Sequence, residues 1–142
     1  MKGYYKAPEK TKETIKDGFL HSGDLGYIKD GLVYVVERKK ECINTGGEKV
    51  FPLEVEEILL ESPKIDQVAV IGVPDEEWGE IPKAVVVLKQ GETATAEDIM
   101  EHCRAKMASY KRPRSVVFVN ELPRNPMGKV LKRVLREQYG GS

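Results

Sequence analysis

Two short apolar runs, residues 68–73 (VAVIGV) and 83–88 (KAVVVL), constrain the fold of this chain most strongly. The first run ends at Pro74-Asp75 and the second at Gln90-Gly91, and such residue pairs are typical of turns. Runs of this length that are apolar at nearly every position are typical of buried strands. We therefore predict two strands in the interior of a sheet.

The remainder of residues 42–142 supplies the other elements around these strands. The predicted order is a hairpin (42–50), a helix from Pro52, the two strands, a helix capped by Thr95 with Asp98 three residues later, a strand (116–119) and a helix (130–135). This order predicts an α+β fold, with a small mixed sheet and helices packed on it.

Residues 1–37 form a separate segment with a different pattern. Residues 1–18 are polar, lysine-rich and poorly periodic, so they supply little core. Lys29-Asp30-Gly31 predicts a tight hairpin turn, and residues 32–36 (LVYVV) return as a strand that is apolar throughout. We predict a β-rich segment that is too small to fold by itself.

The composition excludes several classes of protein. Of the 142 residues 40% are hydrophobic, and no run approaches the roughly 20 apolar residues of a membrane span. Lys+Arg and Asp+Glu both number 23, and this zero net charge argues against a dedicated nucleic-acid binder. Cys42 and Cys103 have no histidine at zinc-ligand spacing, so no metal site is predicted, and Cys103 is expected in the core. With no secretion signal at the N-terminus, we expect a cytoplasmic protein.

A stiff loop near the end of the chain, residues 122–131 (LPRNPMGKVL), presents a lysine. Pro123 and Pro126 fix the backbone, and Gly128 allows a positive φ or a close approach. Lys129 follows at once and could place a positive charge on an anionic group. Taken alone, the loop is better explained as a strand-to-helix connection with a solvated lysine.

Six groups of residues, in order and at natural spacing, resemble one family. They are Gly3-Tyr4 with Pro8-Glu9 and Thr11; Asp17-Gly18 with Ser22-Gly23-Asp24; Arg38 with Gly47, Glu48, Val50, Pro52 and Glu54; Pro74-Asp75 with Gly79-Glu80; Tyr110-Lys111 with Pro113; and Leu122-Pro123 with Gly128-Lys129. Each group alone recurs by chance. Together they resemble the C-terminal portion of an acyl-CoA synthetase, in the adenylate-forming (AMP-binding) superfamily that includes luciferases and peptide-synthetase adenylation domains.

The resemblance implies a two-step, AMP-forming ligation of a carboxylic acid, such as a fatty acid, to coenzyme A. The acid first attacks the α-phosphorus of ATP, whose Mg²⁺ is held mainly by a large N-terminal domain. The C-terminal domain, residues 42–142, then rotates about a hinge at residues 38–41, and the thiol attacks the adenylate. Residues 1–37 would be the tail of the large domain.

The resemblance also implies roles for single residues. Asp24 would accept hydrogen bonds from the ATP ribose, with Arg38 beside it or steering phosphate, and Lys40 would be the hinge residue. Without the resemblance, Asp24 caps a turn and residues 37–41 (ERKKE) are a surface charge run. Lys129 would enter the first-step site and offset the negative charge where carboxylate meets phosphate.

The second step would use another face of the same domain. Its glycine turn, Gly46 and Gly47 with Glu48, would face the pantetheine arm of coenzyme A. Candidates for the phosphates of coenzyme A are Lys49, Lys111, Arg112 and Arg114. A tight hairpin turn and a solvated basic edge are the alternative interpretations of these two sets.

The family's phosphate loop, its Tyr-Gly-x-Thr-Glu stretch and its acyl pocket have no counterpart in these 142 residues. We therefore expect a fragment of a longer enzyme or a separately made subunit, inactive alone, whose uncovered N-terminal hairpin can self-associate. Alternatives are a carrier-protein-loading adenylation enzyme, a luciferase-like oxidase or, from a different class, a non-enzymatic binding module that uses the basic stretches.

Overall fold

The chain divides into two units, Met1–Lys40 and Glu41–Ser142. A computed structural model describes residues 2–141, with only the backbone at Val36 and Glu37. The outer ends of the predicted segments 1–37 and 42–142, namely Met1 and Ser142, lie outside the described residues.

The first unit contains one helix and two small antiparallel hairpins. Its elements are α1 (Pro8–Thr14), β1 (Ile15–Lys16), β2 (Phe19–Leu20), β3 (Asp24–Lys29) and β4 (Leu32–Arg38). Strand β1 pairs with β2, and β3 pairs with β4. The predicted turn lies between β3 and β4, where Asp30 and Gly31 have φ values of 52° and 78°. These are the positive φ values that a tight hairpin of this kind needs.

Helix α1 was not predicted, and this unit contains it in addition to the four strands. Pro8 occupies the first turn, where its missing N–H costs nothing, and Glu9 lies at the favourable end of the helix dipole. The helix buries no residue. A sequence such as PEKTKET has no apolar stripe, so hydrophobic periodicity cannot reveal it.

The second unit holds the predicted mixed sheet. Its elements are β5 (Ile43–Thr45), β6 (Glu48–Val50), α2 (Pro52–Leu60), β7 (Ile65–Asp75), β8 (Gly79–Leu88), α3 (Ala96–Arg104), β9 (Ser115–Phe118) and α4 (Lys132–Tyr139). Strand β8 lies in the middle and pairs antiparallel with β7 along one edge. On its other edge, β5 joins near one end and β9 pairs in parallel further along. The α+β prediction is therefore confirmed.

Alternation along β7 and β8 divides the core into two clusters. One cluster includes Val68 and Val70 with the apolar faces of α2 and α3, while the other includes Ala69 and Ile71 with Leu135 of α4. The sheet is thus covered on both faces, as the two apolar runs required. Cys103 is fully buried in the first cluster, and burial raises the pKa of its thiol.

Candidate functional site

The loop between β9 and α4 closes into a small hairpin that ends at Lys129. Arg124 forms an isolated antiparallel bridge with Val130, and Gly128 has a φ of 85°. The Asn125 carboxamide oxygen accepts hydrogen bonds from the N–H groups of Met127 (3.0 Å) and Lys129 (2.9 Å). Its main chain adds a hydrogen bond in each direction, from Gly128 N–H to Asn125 O and from Asn125 N–H to Lys129 O, each 2.9 Å. The backbone at Lys129 is therefore fixed.

The Lys129 side chain itself is exposed, and among residues 2–141 it has no hydrogen-bond or ion-pair partner. A rigid backbone with an unneutralised ammonium group suits contact with an anion, because neither loop ordering nor the breaking of an ion pair opposes binding. Met127, at the tip of the same loop, is 92% exposed.

Asp24 and Arg38 come together in the first unit, at the open ends of β3 and β4. Arg38 Nε lies 3.0 Å from Asp24 Oδ1, and Arg38 Nη1 donates to the Ser22 carbonyl oxygen at 3.3 Å. A cleft of about 590 Å³ adjoins this pair, lined by Ser22, Gly23, Arg38, Lys39 and Lys40. A carboxylate beside a guanidinium group offers acceptors for a diol and donors for phosphate oxygens.

The residues predicted as the hinge lie at the junction of the two units. Arg38 ends β4, residues Lys39–Glu41 form a single 3₁₀ turn, and the unit boundary falls between Lys40 and Glu41. Short 3₁₀ turns of this kind are common connectors between elements. Glu41 is already tied to the second unit, because its carboxylate pairs with Arg136 of α4 at 2.7 Å.

The glycine turn between β5 and β6 is packed against Trp78. Gly46 donates its N–H to the Trp78 carbonyl at 2.8 Å, and a Cβ on Gly46 would lie 2.6 Å from the indole ring. Nothing lies within 4 Å of the corresponding position on Gly47. The Arg114 guanidinium group stacks over the indole at 4.8 Å. The turn thus presents a backbone surface without side chains beside an aromatic ring and a cation.

The four candidates for phosphate contact differ in the partners they already have. Lys111 Nζ pairs with Glu54 at 2.8 Å, and this hydrogen bond raises the pKa of the Lys111 ammonium group. Arg112 donates to the carbonyl oxygens of Met107 (3.1 Å) and Arg104 (2.9 Å), which follow and end helix α3. Lys49 is exposed, with no partner in the described part of the chain. This geometry favours Lys49 and Arg114 over Lys111 and Arg112.

Sequence reasoning did not single out Asn125, whose side chain closes the lysine loop. An Asx-type turn is visible in sequence as Asn-Pro followed by glycine, so the signal existed. Two absences apply to the described residues 2–141. No group of three or more His, Cys, Asp or Glu side chains there could hold a metal ion. No helix there has the length and apolar character needed to cross a membrane.

The fold and the position of this loop define a class of protein. Residues 54–129 match the model of the AMP-binding enzyme C-terminal domain family, and the match ends at Lys129. The chain therefore belongs to this family, and the predicted resemblance to adenylate-forming enzymes is confirmed.

Two of the relatives that the chain matches are ligases of coenzyme A. The chain is 45% identical over 143 aligned residues to the long-chain-fatty-acid–CoA ligase FadD13 of Mycobacterium tuberculosis, covering 100% of this chain and 28% of the relative. It is 46% identical over 137 residues to the 2-succinylbenzoate–CoA ligase of Bacillus cytotoxicus, covering 96% of this chain and again 28% of the relative. The ATP-bound crystal structure of MatB from Rhodopseudomonas palustris superposes with a TM-score of 0.93 at 43% identity, covering 98% of this chain and 28% of that one. The chain thus spans little more than a quarter of the proteins it matches.

Proposed function

We propose that this chain acts as the C-terminal portion of an ATP-dependent carboxylic acid–CoA ligase. The single observation that carries the proposal is the unpartnered Lys129 ammonium on a closed, rigid loop at the end of the family match. Identity of 45–46% to two CoA ligases supports coenzyme A as the acceptor, and a fatty acid is the substrate class we propose. We place the enzyme in the cytoplasm.

In the first step, Lys129 places its charge where the substrate carboxylate approaches the α-phosphate of ATP. Two anions repel each other at this point, and a fixed cation lowers the barrier most when it is already oriented. Lys129 does not serve as a base, because the acid reacts as its carboxylate. Asp24 and Arg38 would hold the ribose and neighbouring phosphate, and the Mg²⁺ that accompanies ATP would find its ligands outside these residues.

In the second step, the second unit turns about Lys40 and offers its other face to the thiol. The side-chain-free surface at Gly46 and Gly47 suits the slender pantetheine arm, and Lys49 and Arg114 suit the phosphates at its far end. Only a few backbone angles in the 3₁₀ turn Lys39–Glu41 need to change for such a rotation.

Replacing the lysine separates the two half-reactions. In the ligase that carries this sequence, Lys129→Ala should lower acid-dependent ATP–pyrophosphate exchange by at least about 100-fold, as removal of one preorganised charge contact does. Thioester formation from supplied acyl-adenylate should be largely unchanged, because a different face serves that step.

Two controls accompany this measurement. Arg133→Ala removes an exposed charge that is paired with Glu137 on α4, and it should leave both half-reactions intact. The 142-residue chain alone should show no exchange. Equal loss of both half-reactions in Lys129→Ala, or robust exchange by the chain alone, would refute the proposal.

A further inference from the structure

Arg124 spans the lysine loop and ties it to the sheet. Its Nη1 donates to the Gly128 carbonyl oxygen at 2.7 Å, and its Nη2 donates to Gln67 Oε1 at 2.6 Å. Gln67 belongs to β7, an edge strand of the sheet. One guanidinium group therefore connects the sheet with the carbonyl that immediately precedes Lys129.

The exit from the loop is tied to the same strand by a second contact. Lys132 Nζ lies 2.7 Å from Glu56 Oε1, and the same oxygen accepts the Val70 N–H at 2.9 Å. The side chains of Lys132 and Glu56 are 15% and 14% exposed. Helix α4 thus starts from a fixed point, and Arg124 adds a tie on the entry side of the loop.

The chemistry of arginine suits this place. A planar fork can donate two hydrogen bonds at once in fixed directions, which a lysine ammonium on a flexible stem does not reproduce. Asn125 closes the loop from within, but nothing in that closure fixes the loop relative to the sheet. Leu122 and Val130 pack the two ends of the loop on the core. The Arg124–Gln67 contact adds a directed hydrogen bond to the sheet.

We propose that Arg124 is a positioning residue for Lys129 and that it acts through Gln67 and the Gly128 carbonyl rather than on a ligand. This inference rests on the proposed function where it concerns activity. The expected effect on the order of the loop is independent of the proposed function, and it can be measured in the 142-residue chain.

The first experiment measures amide hydrogen exchange at Gly128 and Lys129 by NMR in the 142-residue chain. Arg124→Ala and Gln67→Ala should each speed exchange there, by up to about tenfold, which corresponds to the loss of one hydrogen bond's net contribution. Exchange in β8 should not change. Arg133→Ala is the matched control, an exposed arginine whose ion pair is with Glu137 on α4, and it should have no effect. Unchanged exchange at Lys129 in both test variants would overturn the proposal.

The second experiment measures the half-reactions in the ligase that carries this sequence. Arg124→Ala should lower kcat for ATP–pyrophosphate exchange by about 10- to 100-fold, the usual effect of a misplaced catalytic group, with KM for ATP unchanged. Thioester formation from acyl-adenylate should be unaffected. Arg124→Lys should restore part of the rate, because one of the two hydrogen bonds can be remade.

The Gln67→Ala variant decides between positioning and direct binding. It leaves the Arg124 charge in place, so it should reduce kcat only if the contact with the sheet matters. The double variant should be no slower than Arg124→Ala alone, because both changes break one network. The inference would be overturned if Gln67→Ala left kcat unchanged while Arg124→Ala raised KM for ATP. That result would mean that Arg124 contacts the ligand directly. If Lys129→Ala did not slow ATP–pyrophosphate exchange, the proposed function would be refuted, whereas the amide hydrogen exchange result would still stand.

Discussion

Trp78 leaves no room for a side chain at position 46. The Trp78 backbone N–H donates to the Asp75 carboxylate, and the Trp78 carbonyl oxygen accepts from the Gly46 N–H, so the main chain that carries the indole is fixed. The Arg114 guanidinium group lies over the indole ring itself. Gly46 also has a φ of 58°, in a region that costs other residues about 1–2 kcal/mol. Glycine is thus required here for two separate reasons.

Alanine substitutions at Gly46 and at the neighbouring Gly47 distinguish the steric effect of Trp78 from the effect of a positive φ. A Cβ at position 47 would meet open space, so Gly47→Ala should lose only the cost of a positive φ, about 1–2 kcal/mol of unfolding free energy. Gly46→Ala should lose a further 1–3 kcal/mol, roughly the usual cost of overpacking, and should shift the Trp78 fluorescence. Urea denaturation of both variants measures the difference. Equal losses would show that the indole moves aside freely.

The pairing of single side chains could be predicted from sequence only where the partners are close in the chain. Asp24 and Arg38 flank one hairpin, so their approach follows from the turn at Asp30-Gly31. Lys111, in contrast, finds Glu54 at a distance of 57 residues, and the Arg124–Gln67 contact spans the same separation. No local pattern encodes such partners, because they depend on how the sheet and helices pack.

Among the elements, those with a local chemical signal were predicted and those without one were not. Thr95 and Asp98 cap α3 as expected, and Gly128 takes the positive φ that the loop requires. Strands β7 and β8 are longer than the apolar runs, because their polar ends continue pairing as far as Asp75 and Gly79. Cross-strand hydrogen bonds do not need apolar side chains, so periodicity underestimates their length.

The cap of α3 should make the stability of this element depend on pH. Thr95 Oγ1 accepts from the Asp98 N–H at 3.2 Å, and Asp98 Oδ2 accepts from the Thr95 N–H at 2.9 Å. The hydrogen bond from the Thr95 N–H is the larger cause, and the one with the Thr95 hydroxyl the smaller, of a pKa for the Asp98 carboxyl below its ordinary 3.8. The lowered pKa means that the stabilisation is complete above 3.8 and is lost as the pH falls through the folded-state pKa.

Two substitutions test the cap by urea denaturation. Asp98→Asn should be less stable than the wild type at neutral pH, and the difference should vanish well below pH 3.8. Thr95→Ala should cost about 1 kcal/mol at neutral pH, whereas Thr95→Ser keeps the acceptor and serves as the control. A wild-type advantage over Asp98→Asn that persists in strong acid would contradict this account.

For the whole molecule, fully buried side chains occur, among those that the structure describes, in the second unit and not in the first. The buried apolar residues run from Ile43 to Leu135, while Ile28, Val33 and Val35 on the hairpin of the first unit are 65–76% exposed. The composition of residues 1–18 predicted that they add little to the core. The apolar strand of the hairpin predicted that another surface packs against it. The sequence could not indicate what covers it.

Removing the first unit should therefore cost the second unit little stability. A chain of residues 41–142 should unfold in urea at the same midpoint as the full chain, because its two core clusters are complete. The full chain should self-associate through its exposed hairpin, and the shortened one should sediment as a monomer. A large fall in the urea midpoint, or association that persists after truncation, would count against this division.

Helix α4 is fastened at its beginning, middle and end, by Glu56 to Lys132, Glu41 to Arg136 and the Lys83 ammonium to the Tyr139 carbonyl. The Glu41 contact joins the first residue of the second unit to the helix that follows the lysine loop. The second unit is thus tied together from its first residue to the helix that follows the lysine loop, and the loop itself is closed by Asn125. A rotation of the second unit would therefore carry the Lys129 backbone with it, because helix α4 and the closed loop move with the sheet.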